Sequence, residues 1–522
     1  MARENPQRIL VLLSMAALIG YGGLLFENMA TGVGGSDSSG YANTARDLLG
    51  GRIGARLAAL DQLELPERFA WAFIPLGYEE GPRPRTMAPL YPSGFPLHLA
   101  FAALVAGWEA GPFIVSPVFG LLTAILMYFL GRELSLSRPL AFAGAAIFAA
   151  CPVFLFQAVQ PMSDIVAAAW SVAAVLFALR SRRSDAWAAA AGAAYGIAVL
   201  VRSTCALLFL PIVCALAWRL RTAVLFAAGG APFALFLGLW NRAAYGSPFR
   251  TGYTDILPGT LSFAHFGSRF RSYGGWIVRQ LSPIAPLGWL ASAFCRSLRP
   301  RDRVLLLSWF GSFYLFYCFW GPADDWFFTR YLLPGIPALI LGFMVSLRDL
   351  LRALPAKEPG RPGARLSYGR IAASAAIFTV AGFELRMNLR HPRPYQAAID
   401  HGTFPEVCRA LAAKAGSAKA LVVSRDFSGA VRFYTDLTPL RWDALSGEDF
   451  ALVRVKAAEK GYRVFAALMP YEVEDARPRV PGDWVFLGNV RKAGLFELAL
   501  EGEPRPAPIS PQRRLGRTRL SG

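Results

Sequence analysis

Two carboxylates and a few arginines stand at the edges of apolar runs, where a proton and a phosphate can be handled. The first carboxylate is Asp37, in Gly34-Gly35-Ser36-Asp37-Ser38-Ser39-Gly40-Tyr41, directly after a long apolar N-terminal segment. Two glycines permit a sharp turn there, Ser38 and Ser39 suit a helix start, and Tyr41, Ala45, Leu48 and Leu49 recur at helical spacing. The second is Asp164, which follows Pro161 in Gln160-Pro161-Met162-Ser163-Asp164 and opens another apolar run. For each, the plain alternative is a helix cap. An ionisable side chain at membrane depth is costly unless it faces a partner or a cavity, and two outward carboxylates of one kind point beyond capping.

The cationic candidate is Arg330, in Asp324-Asp325-Trp326-Phe327-Phe328-Thr329-Arg330-Tyr331. A guanidinium at the lipid boundary can fork onto a phosphate, and the alternative is an arginine snorkelling through an aromatic belt. Arg202 stands in an outward turn where the inside rule would not put a positive charge, and Arg83 and Arg85 lie in the first outward loop. Tyr41, Tyr91, His265, Asp325 and Tyr331 share these segments and are the substrate-binding candidates.

The elements that position them are set by composition. The 522 residues are 54% hydrophobic and 17% charged, too apolar for an ordinary soluble protein, and they indicate a polytopic membrane protein. The net charge of +19 falls in short clusters between apolar runs, as in loops facing anionic lipid, so nucleic acid is set aside. Of the six cysteines only Cys408 lies in the polar tail, and no disulfide framework is implied.

A retained first span covers Ile9 to Phe26. The apolar piece Leu97 to Gly107 is under the roughly 17 residues a span needs and is placed in the interface. Leaving it out of the count puts every basic cluster from Arg132 to Arg370 inside. Further spans at about 112–131, 139–157, 164–180, 185–201, 204–218, 222–244, 276–294, 303–320, 332–347 and 371–387 make about eleven. The expected fold is thus an all-α polytopic membrane domain over 1–387, with a first outward loop at 27–111 and an inward Pro- and Arg-rich linker at 355–370. A small α/β domain follows at 388–503, with helices at 406–415 and 448–460 and strands at 420–424, 463–468 and 484–487, then a disordered tail at 504–522. The N-terminus is expected in the cytoplasm and the α/β domain on the periplasmic or other extracytoplasmic side.

No Walker A, Rossmann fingerprint or metal-ligand spacing such as HExxH is present, so a nucleotide-driven pump is not supported. Asp37 followed by Tyr41-Ala42-Asn43-Thr44-Ala45-Arg46, then Tyr91-Pro92-Ser93-Gly94-Phe95-Pro96, Ser163-Asp164 at a span start and Arg330-Tyr331-Leu332-Leu333-Pro334 together resemble the GT-C glycosyltransferases. Over about Ile9 to Leu347 the chain is most similar to the dolichyl-phosphate-mannose and aminoarabinose transferase group, glycosyltransferase family 39-like. The resemblance implies transfer of a hexosyl or pentosyl unit from a polyprenyl-monophosphate donor, with inversion, to a hydroxyl of a lipid, glycan or protein acceptor. The reaction would take place on the outer face of the inner membrane, among membrane lipids.

It implies Asp37 as the essential first-loop carboxylate and Asp164 as the second-loop acidic residue. Arg330, Arg202, Arg85 and Arg83 would hold the donor phosphate. The second loop lacks the acidic pair separated by one residue of the related oligosaccharyl transferases, so a divalent metal is not supported and no cofactor is expected. The rival function is a lipid-linked sugar flippase or transporter, which would place charges along a path through the spans. Here they gather at one face. A weaker third reading is a scaffolding membrane protein with an outer sensor domain.

Overall fold

The computed structural model describes residues 6–255, 257–321, 325–353 and 368–499. Asp324, the linker as far as residue 367 and the tail at 504–522 lie outside the described residues. The first half runs through α1 (Pro6–Glu27), α2 (Asp37–Leu49), strands β1 (Ala55–Arg56), β2 (Tyr78–Glu80) and β3 (Thr86–Pro89), and α3 (Gly94–Glu133). It continues with α4 (Arg138–Ala150), α5 (Pro152–Ala158), α6 (Ser163–Arg180), α7 (Ala186–Val201) and α8 (Leu220–Tyr245). Then come α9 (Phe266–Leu281), α10 (Ile284–Ala291), α11 (Pro300–Cys318), α12 (Ile336–Ala353) and α13 (Tyr368–Arg390).

Helix α6 is the buried axis of this bundle, with 83% of its apolar window covered, and its run of Ala and Val suits close helix packing. Helix α8 is as apolar but only 6% covered, which leaves it an exposed apolar wall of the bundle. Among the described residues α3, α6 and α8 are long and apolar enough to cross a membrane. The bent pairs α4 with α5 (66°) and 326–332 with α12 (84°) raise that to five.

The expectation of about eleven spans is therefore met only in part by length and composition. Several apolar runs are broken where hydropathy gives no sign. The run 276–294 divides at Ser282, whose φ of +60° ends α9, and 204–218 begins as a 3-10 turn over Ser203–Leu208. Helix α4 stops at Cys151 because Pro152 has no N–H to continue the ladder. The stretch 97–107, expected as a separate interfacial piece, is the first arm of α3 and joins the next run through a kink at Gly107 (φ +73°). The two arms double back there, since a Cβ on Gly111 would lie 2.4 Å from the Ala102 carbonyl oxygen.

The second half is α14 (Arg393–Ala415), β4 (Ala420–Val423), α15 (Ser428–Tyr434), β5 (Thr438–Leu440), α16 (Gly447–Glu459), β6 (Arg463–Leu468), β7 (Trp484–Val490) and β8 (Ala493–Leu498). Its sheet has the order β5-β4-β6-β8-β7, with β4 parallel to β5 and β6, and β8 antiparallel to β6 and β7. Alternation assigns the two faces. Val422 and Phe465 join Val407, Leu411 and Phe427 beneath α14 and α15. Leu421, Val423 and Val464 join Phe450 and, from the first loop, Leu60, Phe69, Phe73 and Met87. Residues 57–87 and the C-terminal sheet thus share one core. Together with the small antiparallel sheet β1-β3-β2 they form a cap on one end of the bundle.

Glu79 on β2 is half-buried in this cap, where burial and the neighbouring Asp255 push its carboxyl up to about 8 against the opposing Arg250 charge. A carboxyl with a raised folded pKa favours the folded state below its unfolded pKa and loses that contribution as pH rises through about 8. Glu79→Gln is accordingly expected to melt with the wild type at pH 4.5 and above it at pH 9. Equal melting temperatures at both would refute this.

Candidate active site

Gly35 (φ +62°) turns the chain into α2, and Ser38 Oγ locks the turn by donating to Gly34 O (2.7 Å) and accepting from Gly34 N–H (3.0 Å). Asp37 then occupies the first turn of α2, but its carboxylate is not spent on capping. Oδ1 accepts from the Tyr91 hydroxyl (2.6 Å) and Oδ2 from an Arg330 guanidinium nitrogen (2.8 Å). Tyr91 reaches it because two glycines let the loops touch: a Cβ on Gly40 would lie 2.7 Å from Gly77 Cα and 2.8 Å from the Tyr91 ring.

Asp164 likewise makes no cap. At the head of α6 it bonds Arg202, which follows α7, and lies 3.9 Å from Arg330. Arg202 and Arg330 stand 5.1 and 5.2 Å from the centre of the Tyr331 ring, which Tyr317 backs by stacking at 5.1 Å. Residues 37, 164, 202 and 330, from four separate segments, thus form one chain of alternating charge. Tyr41 joins it through a 2.9 Å hydrogen bond to Ser163 and a ring contact with Tyr91 at 4.7 Å.

The members differ in access. The Asp164 side chain is 2% exposed and enclosed by its two arginines, whereas that of Asp37 is 25% exposed. Burial pushes the Asp37 carboxyl up, but the Arg330 charge, hydrogen bonds from Tyr91 and Arg330, and the Arg202 charge outweigh it and hold the group below its ordinary range. Arg330 Nε is buried with no hydrogen-bond partner among the described residues, so one of its donors is unspent.

The sequence model of the dolichyl-phosphate-mannose-protein mannosyltransferase family matches residues 114–231. No curated protein sequence matches the chain. Among solved structures, ArnT from Cupriavidus metallidurans bound to undecaprenyl phosphate aligns with a TM-score of 0.54 at 15% identity, covering 95% of this chain and 99% of its own. The apo oligosaccharyltransferase of Archaeoglobus fulgidus aligns at 0.52 and 12% identity, over 87% of this chain and 69% of its own. Mycobacterial arabinofuranosyltransferase AftD aligns at 0.51 and 13% identity, over 93% and 41%. The chain has the GT-C glycosyltransferase fold.

Within this GT-C frame four predicted site residues lie elsewhere. Arg85 is a cap residue: at φ +57° it bonds Asp61 (2.6 Å), Glu67 (3.1 Å) and Leu65 O (3.0 Å). Arg83 opens into a second cleft, on the far side of β3. Asp325 accepts from Trp326 N–H (2.7 Å) at the start of its 3-10 turn and pairs with Arg393 at 3.2 Å, tying α14 to the bundle. His265 ends a 3-10 turn and receives the Ser268 hydroxyl on its carbonyl, apart from the charge chain.

Other residues around this cluster escaped the sequence reading. Tyr253 packs at 6.3 Å from the Tyr91 ring, and Tyr317 donates to Thr204 Oγ1 at 2.9 Å, fixing the stack beneath the arginines. Most consequential is α15, which lies along α2. Asn43 Nδ2 donates to Gly429 O (2.8 Å), Arg432 and Tyr78 both donate to Asp47 (3.0 and 2.7 Å), and Arg46 stacks over Phe433 at 4.5 Å. Gly429 has no room for a Cβ, which would lie 2.0 Å from Ser39 Oγ. The aromatic content of loop 245–275 was the one hint of Tyr253, and nothing local marks α15 as the partner of α2.

Asp164→Ala removes the carboxylate partner of the buried Arg202 and leaves it the Tyr331 ring and the Tyr317 hydroxyl. A broken buried pair costs about 3–5 kcal/mol, so the variant should melt well below the wild type in detergent or fail to accumulate. An unchanged melting temperature would show that Asp164 does not hold Arg202.

Proposed function

We propose that the chain is a membrane glycosyltransferase that moves a hexosyl or pentosyl unit from a polyprenyl-monophosphate donor to a hydroxyl of a lipid, glycan or protein acceptor, with inversion. Its cap and active site face outward from the inner membrane, and its N-terminus is cytoplasmic. The observation that carries this reading is the Asp37–Arg330 contact, an accessible carboxylate held at 2.8 Å by an arginine with a further donor unused. The undecaprenyl phosphate bound to the similarly folded ArnT supports the choice of donor class.

The two roles are linked through Arg330. While it is bound to Asp37 the carboxylate is a weak base. A donor phosphate entering beside Arg330 and Arg202 competes for the guanidinium, and Asp37 becomes more basic as that contact loosens. Asp37 then accepts the proton of the acceptor hydroxyl, whose oxygen bonds to the anomeric carbon from the face opposite the phosphate. The bond from that carbon to the phosphate oxygen breaks, its electron pair leaves with the lipid phosphate, and the arginines hold the new charge. Asp164 keeps both cations in place, Tyr91 and Tyr41 border the sugar, and the scheme calls on no cofactor.

The test is transfer by the purified protein from a panel of radiolabelled polyprenyl-phosphate sugars, mannose, aminoarabinose and arabinose, to extracted envelope lipids, glycans and proteins. Transfer from at least one donor with release of polyprenyl phosphate supports the reading. Label passing directly from a sugar nucleotide, or movement of intact donor across vesicles without transfer, overturns it.

A further inference from the structure

A second basic site lies on the same end of the molecule. A cleft of about 840 Å³ opens between the cap loop around Gly54, strand β3 and the last turn of α8. Two glycines shape its walls: Gly54 (φ +76°), where a Cβ would lie 2.0 Å from Met87 O, and Gly246 (φ +81°), which ends α8. Arg52, Arg56, Arg83 and Arg242 line it, and no carboxylate does. Arg52 and Arg56 lean on Asp47 (3.4 Å) and Asp61 (2.8 Å) outside the cleft, while the exposed Arg83 and Arg242 side chains have no hydrogen bond or ion pair among the described residues.

Arg83 and Arg242 thus face this space with their charges unmatched beside two further guanidiniums, and an arginine fork matches a phosphate. The position of Arg242 names the kind of anion. It stands one turn beyond Leu239, which also lines the cleft, on the helix whose apolar face is otherwise bare: Leu239 is 59% and Leu235 65% exposed. A phosphate in the cleft therefore has a hydrocarbon-binding wall directly beside it. Arg52, which lines the cleft, pairs with Asp47 on α2, and Asp47 stands ten residues from Asp37, about 15 Å along the helix at 1.5 Å per residue. The cleft is too far from the charge chain to be part of it.

We propose that this cleft binds the phosphate headgroup of an anionic phospholipid from the adjoining leaflet, with its acyl chains along α8. The lipid bridges α8 to β3 and the 52–56 loop, seating the cap against the membrane. The proposal is independent of glycosyl transfer, because the assay reads bound lipid.

The full chain is reconstituted in phosphatidylcholine nanodiscs doped with phosphatidylglycerol, then extracted into detergent, and the retained lipids are counted by mass spectrometry. Phosphatidylglycerol is expected to be enriched on the order of tenfold over its share in the disc, and Arg83→Gln with Arg242→Gln should remove that enrichment. Arg250→Gln, a cap arginine outside the cleft, should keep it. Both targets are exposed, so folding is not at risk, and a photoreactive phosphatidylglycerol should crosslink within residues 235–246. Undiminished enrichment in the double variant, crosslinks confined to other helices, or full displacement by millimolar inorganic phosphate would overturn the lipid site.

Discussion

Asp37→Asn yields a folded, membrane-inserted protein whose transfer rate is reduced about 10²–10⁴-fold, the contribution expected of a positioned general base. The substitution is nearly isosteric, so the amide oxygen can still accept from Tyr91 or Arg330, and the turn locked by Ser38 and Gly34 is untouched. What disappears is the capacity to take a proton. Melting temperature and lipid association are therefore expected to stay close to wild type while turnover is lost, in an assay with saturating donor. A variant retaining more than a tenth of wild-type turnover would remove Asp37 from the reaction. In the unliganded protein the depressed carboxyl keeps Asp37 ionised through the ordinary carboxylate range. Its stabilising contribution is present above the unfolded carboxylate pKa and is lost only as pH falls through the lower folded value.

Arg330→Lys is expected to cost about 10²–10³-fold in kcat, with a smaller rise in donor KM, although the charge is conserved. The guanidinium bonds Asp37 at 2.8 Å, stands 3.9 Å from Asp164 and lies against the Tyr331 ring, a fork that one ammonium cannot reproduce. Its charge matters most when the bond to phosphate breaks, so the loss should fall on turnover more than on donor binding. Arg330→Gln should be worse still, and because Arg202 keeps Asp164 paired the effect should appear in rate before it appears in stability. A kcat within threefold of wild type for the lysine variant would exclude a phosphate-holding role.

The charge chain was legible because its members break a pattern: Asp37, Asp164, Arg202 and Arg330 are ionisable groups at the ends of apolar runs, and the spans that carry them bring those ends together. Arg85 looked the same in sequence. Its carboxylate partners are Asp61 and Glu67, and only the fold of the cap loop shows that its charge is already matched. Asp325 failed for a similar reason, its partner Arg393 lying across the linker in α14. The α/β segments at 420–424 and 463–468 were visible as apolar runs, but the strands of the first loop are only two to four residues long and carry no period. The shared core of 57–87 with the C-terminal sheet was hidden accordingly. Helix breaks at Gly107 and Ser282 depend on positive φ angles that hydropathy does not register.

The seam between α2 and α15 bears on how such proteins can be re-engineered. The C-terminal segment touches the Asp37 helix through a surface so tight that even a methyl at Gly429 collides with Ser39, two residues from Asp37. A chimera that exchanges residues 393–499 alone would set a foreign ridge against that groove and tilt Asp37. Grafts are expected to work only when loop 28–93 travels with the tail, so that the two distant stretches are inherited as one transplantable unit.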